Sequence, residues 1–135
     1  MEVSSAFVAD PELVRELEKR ATPIDLGSDR VLFRQGDPPI AVYILRKGTV
    51  TLIGRSASQT SLVVQTGAGS LLGVPAVVGG KLYSLTAEAQ EDAEVSLLSN
   101  EDFLHLMHTE PTLSFRVLRV LAEEVRFARE ALSHS

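Results

Sequence analysis

The chain of 135 residues contains no cysteine. This absence excludes a disulfide framework, thiolate zinc sites, iron–sulfur clusters and a cysteine nucleophile. Basic residues are in the minority, since 13 Lys and Arg stand against 18 Asp and Glu and the formal net charge is −5. Affinity for nucleic-acid phosphates depends largely on Lys and Arg, so we expect no direct binding of nucleic acid by this chain.

Long apolar runs are also missing. The longest run, residues 71–78, is interrupted by Gly73 and Pro75 and is far shorter than a bilayer span. The N-terminal segment has no basic cluster ahead of an apolar run, so it does not look like a secretory signal. We therefore expect a cytoplasmic protein with no membrane partner. With 44% hydrophobic and 23% charged residues, the composition is typical of a single folded domain.

Glycine is absent from both ends of the sequence, because all nine glycines lie between Gly27 and Gly80. Glycine favours turns and weakens helices, so this distribution predicts a turn-rich middle and helical ends. Asp10 as N-cap and Pro11 in the first turn predict a helix over residues 11–20. At the other end we predict helices over residues 100–108 and 111–132.

The middle of the chain is a series of short apolar runs separated by turn residues about every ten positions. This spacing predicts a mainly β fold with flanking helices, in which residues 23–98 form a sandwich or barrel-like roll. Lys47-Gly48, between two alternating runs, predicts a hairpin. The predicted strands are residues 23–26, 31–34, 41–46, 49–53, 62–65, 82–89 and 94–98.

The last predicted helix carries a wide apolar surface. One stripe contains Leu113, Val117, Leu121, Val125, Ala128 and Leu132, and it is widened by Phe115, Leu118, Ala122 and Ala131. Such a width allows one side to cover a core and the other to meet a second molecule. Glu123-Glu124 is interpreted as a solvated or interface edge of this helix.

Several short motifs occur in a recognisable order. They are Phe33-Arg34-Gln35-Gly36-Asp37, then Val42-Tyr43-Ile44-Leu45, then Lys47-Gly48-Thr49-Val50, and finally Asn100-Glu101-Asp102-Phe103 with Glu110-Pro111. Together they resemble the cyclic-nucleotide-binding domain of the catabolite activator protein and fumarate–nitrate reduction regulator (Crp/Fnr) superfamily, over residues 10–133. The resemblance implies a double-stranded β-helix (jelly-roll-like) fold, ligand sensing and a role in transcription regulation.

The family's phosphate-binding cassette corresponds to residues 67–94. In members that bind cyclic nucleotides, a glutamate after a glycine binds the ribose and an arginine neutralises the phosphate. Here Gly73 is kept, but Val74 stands at the glutamate position and Tyr83 at the arginine position, and Glu124 replaces a basic residue of the long helix. Charge-assisted hydrogen bonds contribute about 1.5–3 kcal/mol each, so we expect no binding of cyclic AMP in the usual way.

The cassette has two open interpretations. Its residues either line a pocket adapted to a small apolar or aromatic effector or plug the old site, which would leave a ligand-free dimerisation module. A tyrosine on a strand, as Tyr83 is predicted to be, can contact a ligand or belong to the core. The predicted ligand-binding residues are Leu72, Gly73, Val74, Pro75, Tyr83, Ser84 and Thr86.

The resemblance also implies a homodimer through the long helix, with an interface of Val117, Leu121, Val125, Ala128 and Leu132. In the family a DNA-binding winged helix-turn-helix follows this helix, and the present sequence stops at Ser135, where that domain would begin. We predict a single domain over residues 1–135 without a DNA-binding unit. Both a stand-alone sensor and a part of a longer regulator remain open.

Catalytic and metal chemistry find little support in the sequence. His105 and His108 have a spacing that can share a metal, but no acidic or cysteine partner is placed with them. No Ser-His-Asp arrangement or paired catalytic carboxylate stands out. A cupin-type enzyme would need histidines on facing strands, whereas all three histidines lie outside the predicted strands. We expect no enzyme activity, no metal and no cofactor.

Overall fold

The computed structural model describes residues 3–56 and 61–133, with side chains described as far as residue 126. Four helices are present in this part of the chain: α1 (Pro11–Glu18), α2 (Val74–Gly79), α3 (Asn100–Thr109) and α4 (Pro111–Ser133). The strands are β1 (Val3–Ser4), β2 (Thr22–Ile24), β3 (Val31–Phe33), β4 (Ala41–Lys47), β5 (Val50–Arg55), β6 (Ser61–Thr66), β7 (Leu71–Leu72), β8 (Thr86–Ala89) and β9 (Glu94–Ser99).

These strands form two sheets that face each other. One sheet has the order β1-β6-β5-β8-β3 and the other the order β2-β9-β4-β7. All pairs are antiparallel except β1 with β6. The register places Tyr43 opposite Leu97 and Leu52 opposite Ala87. The predicted mainly β, jelly-roll-like class with flanking helices is confirmed.

Strand β4 separates two hydrophobic clusters, because successive side chains of a strand point to opposite faces. Tyr43 and Leu45 belong to the cluster between the two sheets. Val42 and Ile44 belong to the cluster between this sheet and the helices. All four are buried. The position of a side chain along β4 therefore decides whether it packs inside the roll or under the helices.

Helix α1 follows the predicted pattern at its start. The side chain of Asp10 accepts a hydrogen bond from the Leu13 backbone N–H at 2.9 Å, and Pro11 occupies the first turn. Arg116 of α4 forms ion pairs with Asp10 at 3.1 Å and with Glu12 at 2.9 Å. The beginning of α1 is thus attached to α4 by these two ion pairs.

Helix α4 covers the second cluster with one face. Val117 and Val120 are buried, and Leu113 packs against the cluster as a partly buried side chain. Glu124 continues this face and is also buried. The core-facing positions of α4 thus follow the 3.6-residue period of a helix. In the described part of the chain, no helix is long and apolar enough to cross a membrane.

Two local predictions are wrong. Lys47-Gly48 does not join the strands of a hairpin, since β4 pairs with β9 and β7 whereas β5 pairs with β6 and β8. The turn instead carries the chain from one sheet to the other. A Cβ at Gly48 would lie 2.7 Å from the Ala93 Cα, so this close crossing requires glycine. Residues 82–85 form no strand, because β8 begins only at Thr86.

Candidate functional site

The site begins at Gly73, which connects β7 to the short helix α2. Gly73 has φ +89°, a left-handed conformation that side chains other than glycine rarely adopt. A Cβ at this position would lie 2.9 Å from the Tyr83 Cε1 and 3.2 Å from the Ala41 carbonyl oxygen. Glycine is therefore required both by the backbone and by the close approach of the tyrosine ring.

Every polar atom of Tyr83, in its side chain and its backbone, forms a hydrogen bond. Its hydroxyl donates to the Ala41 carbonyl at 2.7 Å and accepts from the backbone N–H groups of Ile40 at 3.1 Å and Ala41 at 3.2 Å. Its backbone N–H donates to Asp37 and its carbonyl accepts from Gly36. With 2% of its surface exposed, Tyr83 is a buried residue of the loop before β8 rather than a half-buried strand residue.

The ring of Tyr83 belongs to a cluster of three aromatic side chains inside the roll. It stacks on the ring of Phe33 with a centroid separation of 4.0 Å. The rings of Phe33 and Tyr43 are tilted toward each other, with a centroid separation of 5.7 Å. Burial, with a smaller effect of Tyr83, raises the pKa of Tyr43 to about 12. The phenol of Tyr43 therefore stays neutral at physiological pH, and the cluster offers apolar ring faces rather than charge.

A cavity remains between this cluster, the cassette and α4. It measures about 330 Å³ including its open mouth, but only about 30 Å³ is open to the centre of a water-sized sphere. That is room for one or two waters and not for a nucleotide. The lining residues are Phe7, Phe33, Leu52, Leu72, Gly73, Pro75, Ala76, Tyr83, Ser84, Leu85 and Glu124.

Glu124 is the one ionisable carboxyl group of that lining. Its side chain is buried, with 7% of the residue exposed, and its Oε1 has no hydrogen-bond partner among the described residues. Burial raises the pKa of Glu124 to about 8. The interpretation of Glu123-Glu124 as a solvated or interface edge is thus wrong for Glu124, because the helical period turns it toward the roll of its own chain. Glu123 is exposed and pairs with Arg126.

The structure brings together five of the seven predicted ligand-binding residues. Leu72, Gly73, Pro75, Tyr83 and Ser84 line the cavity.

The other two predicted residues lie elsewhere. Val74 is fully buried on the opposite side of α2, where it packs in the cluster under the helices. The hydroxyl of Thr86, at the start of β8, accepts a hydrogen bond from the Gln35 backbone N–H at 2.9 Å. Neither side chain is in the lining of the cavity.

Six lining residues are missing from the sequence prediction: Phe7, Phe33, Leu52, Ala76, Leu85 and Glu124. Two of them had a usable signal. Phe33 opens the first recognised motif, and Glu124 lies seven residues after Val117, which places both on one helical face. The other four are apolar residues whose place in the lining depends on how the two sheets meet.

The residues of α4 that were predicted to form the dimer interface differ in solvent exposure. Val117 is 2% exposed and packs in its own chain's core, Leu121 is partly buried, and Val125 is 48% exposed. Ala128 and Leu132 lie outside the described side chains. The exposed apolar positions of the described part of α4 are Phe115, Leu118, Ala122 and Val125.

The helix α3 histidines show no metal arrangement. His105 and His108 are both exposed. Within residues 3–56 and 61–126, whose side chains the structure describes, there is no group of three or more His, Asp or Glu side chains that could hold a metal ion.

A β roll, the short helix α2 and the long helix α4 enclose the cavity. The chain belongs to the cyclic nucleotide-binding domain family, whose model matches residues 24–110. Its structural neighbours place it in the Crp/Fnr superfamily, as the sequence motifs predict.

Individual relatives agree with this assignment. The crystal structure of the catabolite activator protein of Thermus thermophilus superposes with a TM-score of 0.75 and 26% identity, over 96% of this chain and 62% of that chain. The cyclic AMP receptor protein of Thermus thermophilus is 31% identical over 72% of this chain and 45% of that protein.

A human relative has a different domain context. The patatin-like phospholipase domain-containing protein 6 of Homo sapiens is 28% identical over 105 residues, which are 77% of this chain but only 8% of that protein. The chain therefore spans a small part of this relative and less than half of the Thermus receptor.

Proposed function

We propose that this chain is a non-catalytic sensor domain of a Crp/Fnr-type regulator that does not bind cyclic AMP through the family's phosphate grip. The observation that carries this proposal is the position of Tyr83. Tyr83 stands at the position of the family's phosphate arginine, and its hydroxyl is fully occupied by Ile40 and Ala41. A phosphate there would find no charge-assisted partner, which normally contributes about 1.5–3 kcal/mol per hydrogen bond.

Glu124 supports the same proposal from the opposite wall. The carboxyl group has no cationic neighbour in the cavity lining. Below pH 8 it is mostly protonated and offers a cyclic phosphate no positive charge, and once ionised it would be a second anion in a poorly solvated space. Like charges that are brought together in a low-dielectric environment repel each other strongly. Lys81 is exposed and is not part of the lining, so it does not offset this repulsion.

The position of the cavity suggests how a sensor of this kind would work. Glu124 belongs to α4, whereas the rest of the lining comes from the segment before α1, the roll and the cassette. An effector that binds one arrangement of α4 better than another shifts the population toward that arrangement. The long helix would then transmit the occupancy of the cavity to whatever it contacts.

Calorimetry or a thermal-shift assay with cyclic AMP and cyclic GMP tests the proposal. We expect no stabilisation below about millimolar nucleotide, because a ligand stabilises a protein only at concentrations comparable to its Kd. The Thermus thermophilus cyclic AMP receptor protein serves as the positive control. A shift of several degrees at micromolar cyclic AMP would contradict the proposal.

A second candidate function, self-association through α4, is supported by the spacing of its exposed apolar residues. Phe115, Leu118, Ala122 and Val125 are separated by 3, 4 and 3 positions, which is the a/d spacing of a coiled coil. Phe115 is 74% and Leu118 is 55% exposed. We propose that a second copy of this chain covers this surface, and that the dimer is the form in which the domain transmits its signal.

A further inference from the structure

We propose that the effector of this domain presents a cationic head group, such as an amidinium or ammonium, to Glu124. This inference rests on the proposed function, namely a sensor that does not take cyclic AMP, and it gives the chemical class of the ligand. Such a ligand has the opposite charge to the cyclic phosphate for which the family is named.

The first argument is the unpartnered carboxyl group. Glu124 is more than nine-tenths buried and forms part of the cavity wall, and its Oε1 has no hydrogen-bond partner in the part of the chain that is described. A buried polar atom without a partner destabilises the fold, and more so when the group is charged. A ligand that donates a hydrogen bond and carries a positive charge would remove this cost.

The second argument is the charge of the surroundings. From the cassette segment, Tyr83 faces the cavity, and its hydroxyl is already fully paired. Ser84 is polar but uncharged. The segment before α1, strands β3, β5 and β7, and helix α2 contribute only apolar side chains and Gly73 to the lining. No described lining residue provides a cation for Glu124, so the ligand itself has to bring one.

The third argument is the shape of the space. The innermost volume of about 30 Å³ suits a small head group rather than a ring system. Ser84 is exposed, and Pro75 and Leu85 are half-buried, so the cavity opens on their side. An apolar ligand body would lie against Pro75 and Leu85 while its head group reaches Glu124.

The cavity offers a buried water only the minimum number of side-chain partners. A buried water needs two to four polar partners. Besides the already paired Tyr83 hydroxyl, the polar side chains of the lining are only those of Glu124 and Ser84. An amidinium with an aromatic body matches the combination of one carboxylate and an apolar rim better, because it pairs with both carboxylate oxygens.

Benzamidine is a suitable probe, since it stays protonated from pH 6 to 8. Its binding requires the ionised carboxylate, whereas the free domain keeps Glu124 mostly protonated below pH 8. Binding at pH 7 therefore releases about one proton, and the affinity rises at least about tenfold between pH 6 and pH 8. Both quantities are measurable by calorimetry in buffers of different ionisation enthalpy.

The experiment compares benzamidine, benzoate and cyclic AMP on the whole chain, with two glutamine variants. Glu124→Gln keeps the size of the side chain and removes its charge, and Glu123→Gln makes the same change on the exposed neighbour. We expect benzamidine to bind at millimolar concentration, benzoate not to bind, Glu124→Gln to weaken benzamidine binding at least about tenfold, and Glu123→Gln to leave it unchanged.

The inference is overturned if benzamidine gives no binding up to about 10 mM, if benzoate binds equally well, or if binding releases no proton. Equal binding to Glu124→Gln overturns it too. If that variant does not fold, proton release from the unmodified chain still tests whether benzamidine binds to an ionised carboxylate. Micromolar binding of cyclic AMP would instead refute the proposed function, so the two failures are distinguishable.

Discussion

The hydroxyl oxygen of Tyr83 lies 2.7 Å from the carbonyl oxygen of Ala41 and donates a hydrogen bond to it. This bond, together with two N–H groups that donate back to the hydroxyl, joins the cassette loop to the first residue of β4. The ring that lines the cavity is therefore also part of the framework of the roll. Its replacement by an arginine would remove this attachment.

Tyr83→Phe tests how much this hydroxyl contributes to the stability of the domain. Three buried or partly buried backbone groups lose their partner, so we expect the free energy of unfolding in urea to fall by about 2–3 kcal/mol. Tyr43→Phe is the control, because no hydrogen bond of the Tyr43 hydroxyl is found among the described residues. Equal losses in the two variants would show that the hydroxyl of Tyr83 has no special role.

Gly73→Ala tests the contact between the cassette and the tyrosine ring. The added Cβ would meet the Tyr83 ring at 2.9 Å in a backbone conformation with positive φ. Gly36→Ala is a matched control, since its φ of +93° is similar but a Cβ there would meet nothing within 4 Å. We expect a loss of about 1 kcal/mol at Gly36 and about 1–3 kcal/mol more at Gly73. Urea denaturation that gave equal losses would contradict the contact.

Glu124 gives the stability of the domain a pH dependence. Its pKa of about 8 in the folded state lies above its ordinary value of 4.5. Below pH 4.5 both the folded and the unfolded states are protonated. Between pH 4.5 and 8 only the unfolded state loses the proton, so the free energy of unfolding falls by up to about 1.4 kcal/mol per pH unit.

Glu124→Gln removes this dependence. We expect the variant to gain about 2 kcal/mol or more relative to the natural chain on going from pH 5 to pH 8, measured by urea denaturation at both pH values. The exposed Glu123→Gln variant should show no such gain. If the Glu124→Gln and natural chains kept a constant difference over this range, Glu124 would not be buried without a partner.

Leu118→Glu tests self-association through α4. Leu118 lies in the middle of the exposed apolar residues, so a charge there should separate the copies. We expect the natural chain to sediment as a dimer at high concentration and the variant as a monomer, with an unchanged circular dichroism spectrum. Leu104→Glu, on the exposed face of α3, should leave the dimer intact. A natural chain that remained monomeric would refute the proposed interface.

The sequence and the structure differ most informatively on α4. The predicted stripe advanced mostly by four residues, from Val117 to Leu121 to Val125, and such a series drifts around a helix that has 3.6 residues per turn. The structure accordingly places Val117 in the core and Val125 at the surface. Hydrophobicity alone did not predict the burial of Glu124, because a charged side chain normally indicates a solvated face.

The strands, by contrast, were largely predictable from alternation and turn residues. What the local pattern could not give was the partner of each strand, as at Lys47-Gly48, where a turn typical of hairpins joins two sheets. Family motifs assigned the cassette to residues 67–94, and five of the seven residues predicted to bind a ligand line the cavity. They did not reveal that Val74 faces the other side of α2, because the direction of a side chain on so short a helix depends on how that helix packs.

One oxygen atom links the two ends of the domain. Oδ1 of Asp10 accepts both the Leu13 backbone N–H that starts α1 and the guanidinium of Arg116 near the start of α4. An outward movement of α4 would break the hydrogen bond from Arg116 but leave the one from the Leu13 backbone N–H intact. A spectroscopic label in the first turn of α1 would therefore report a movement of α4.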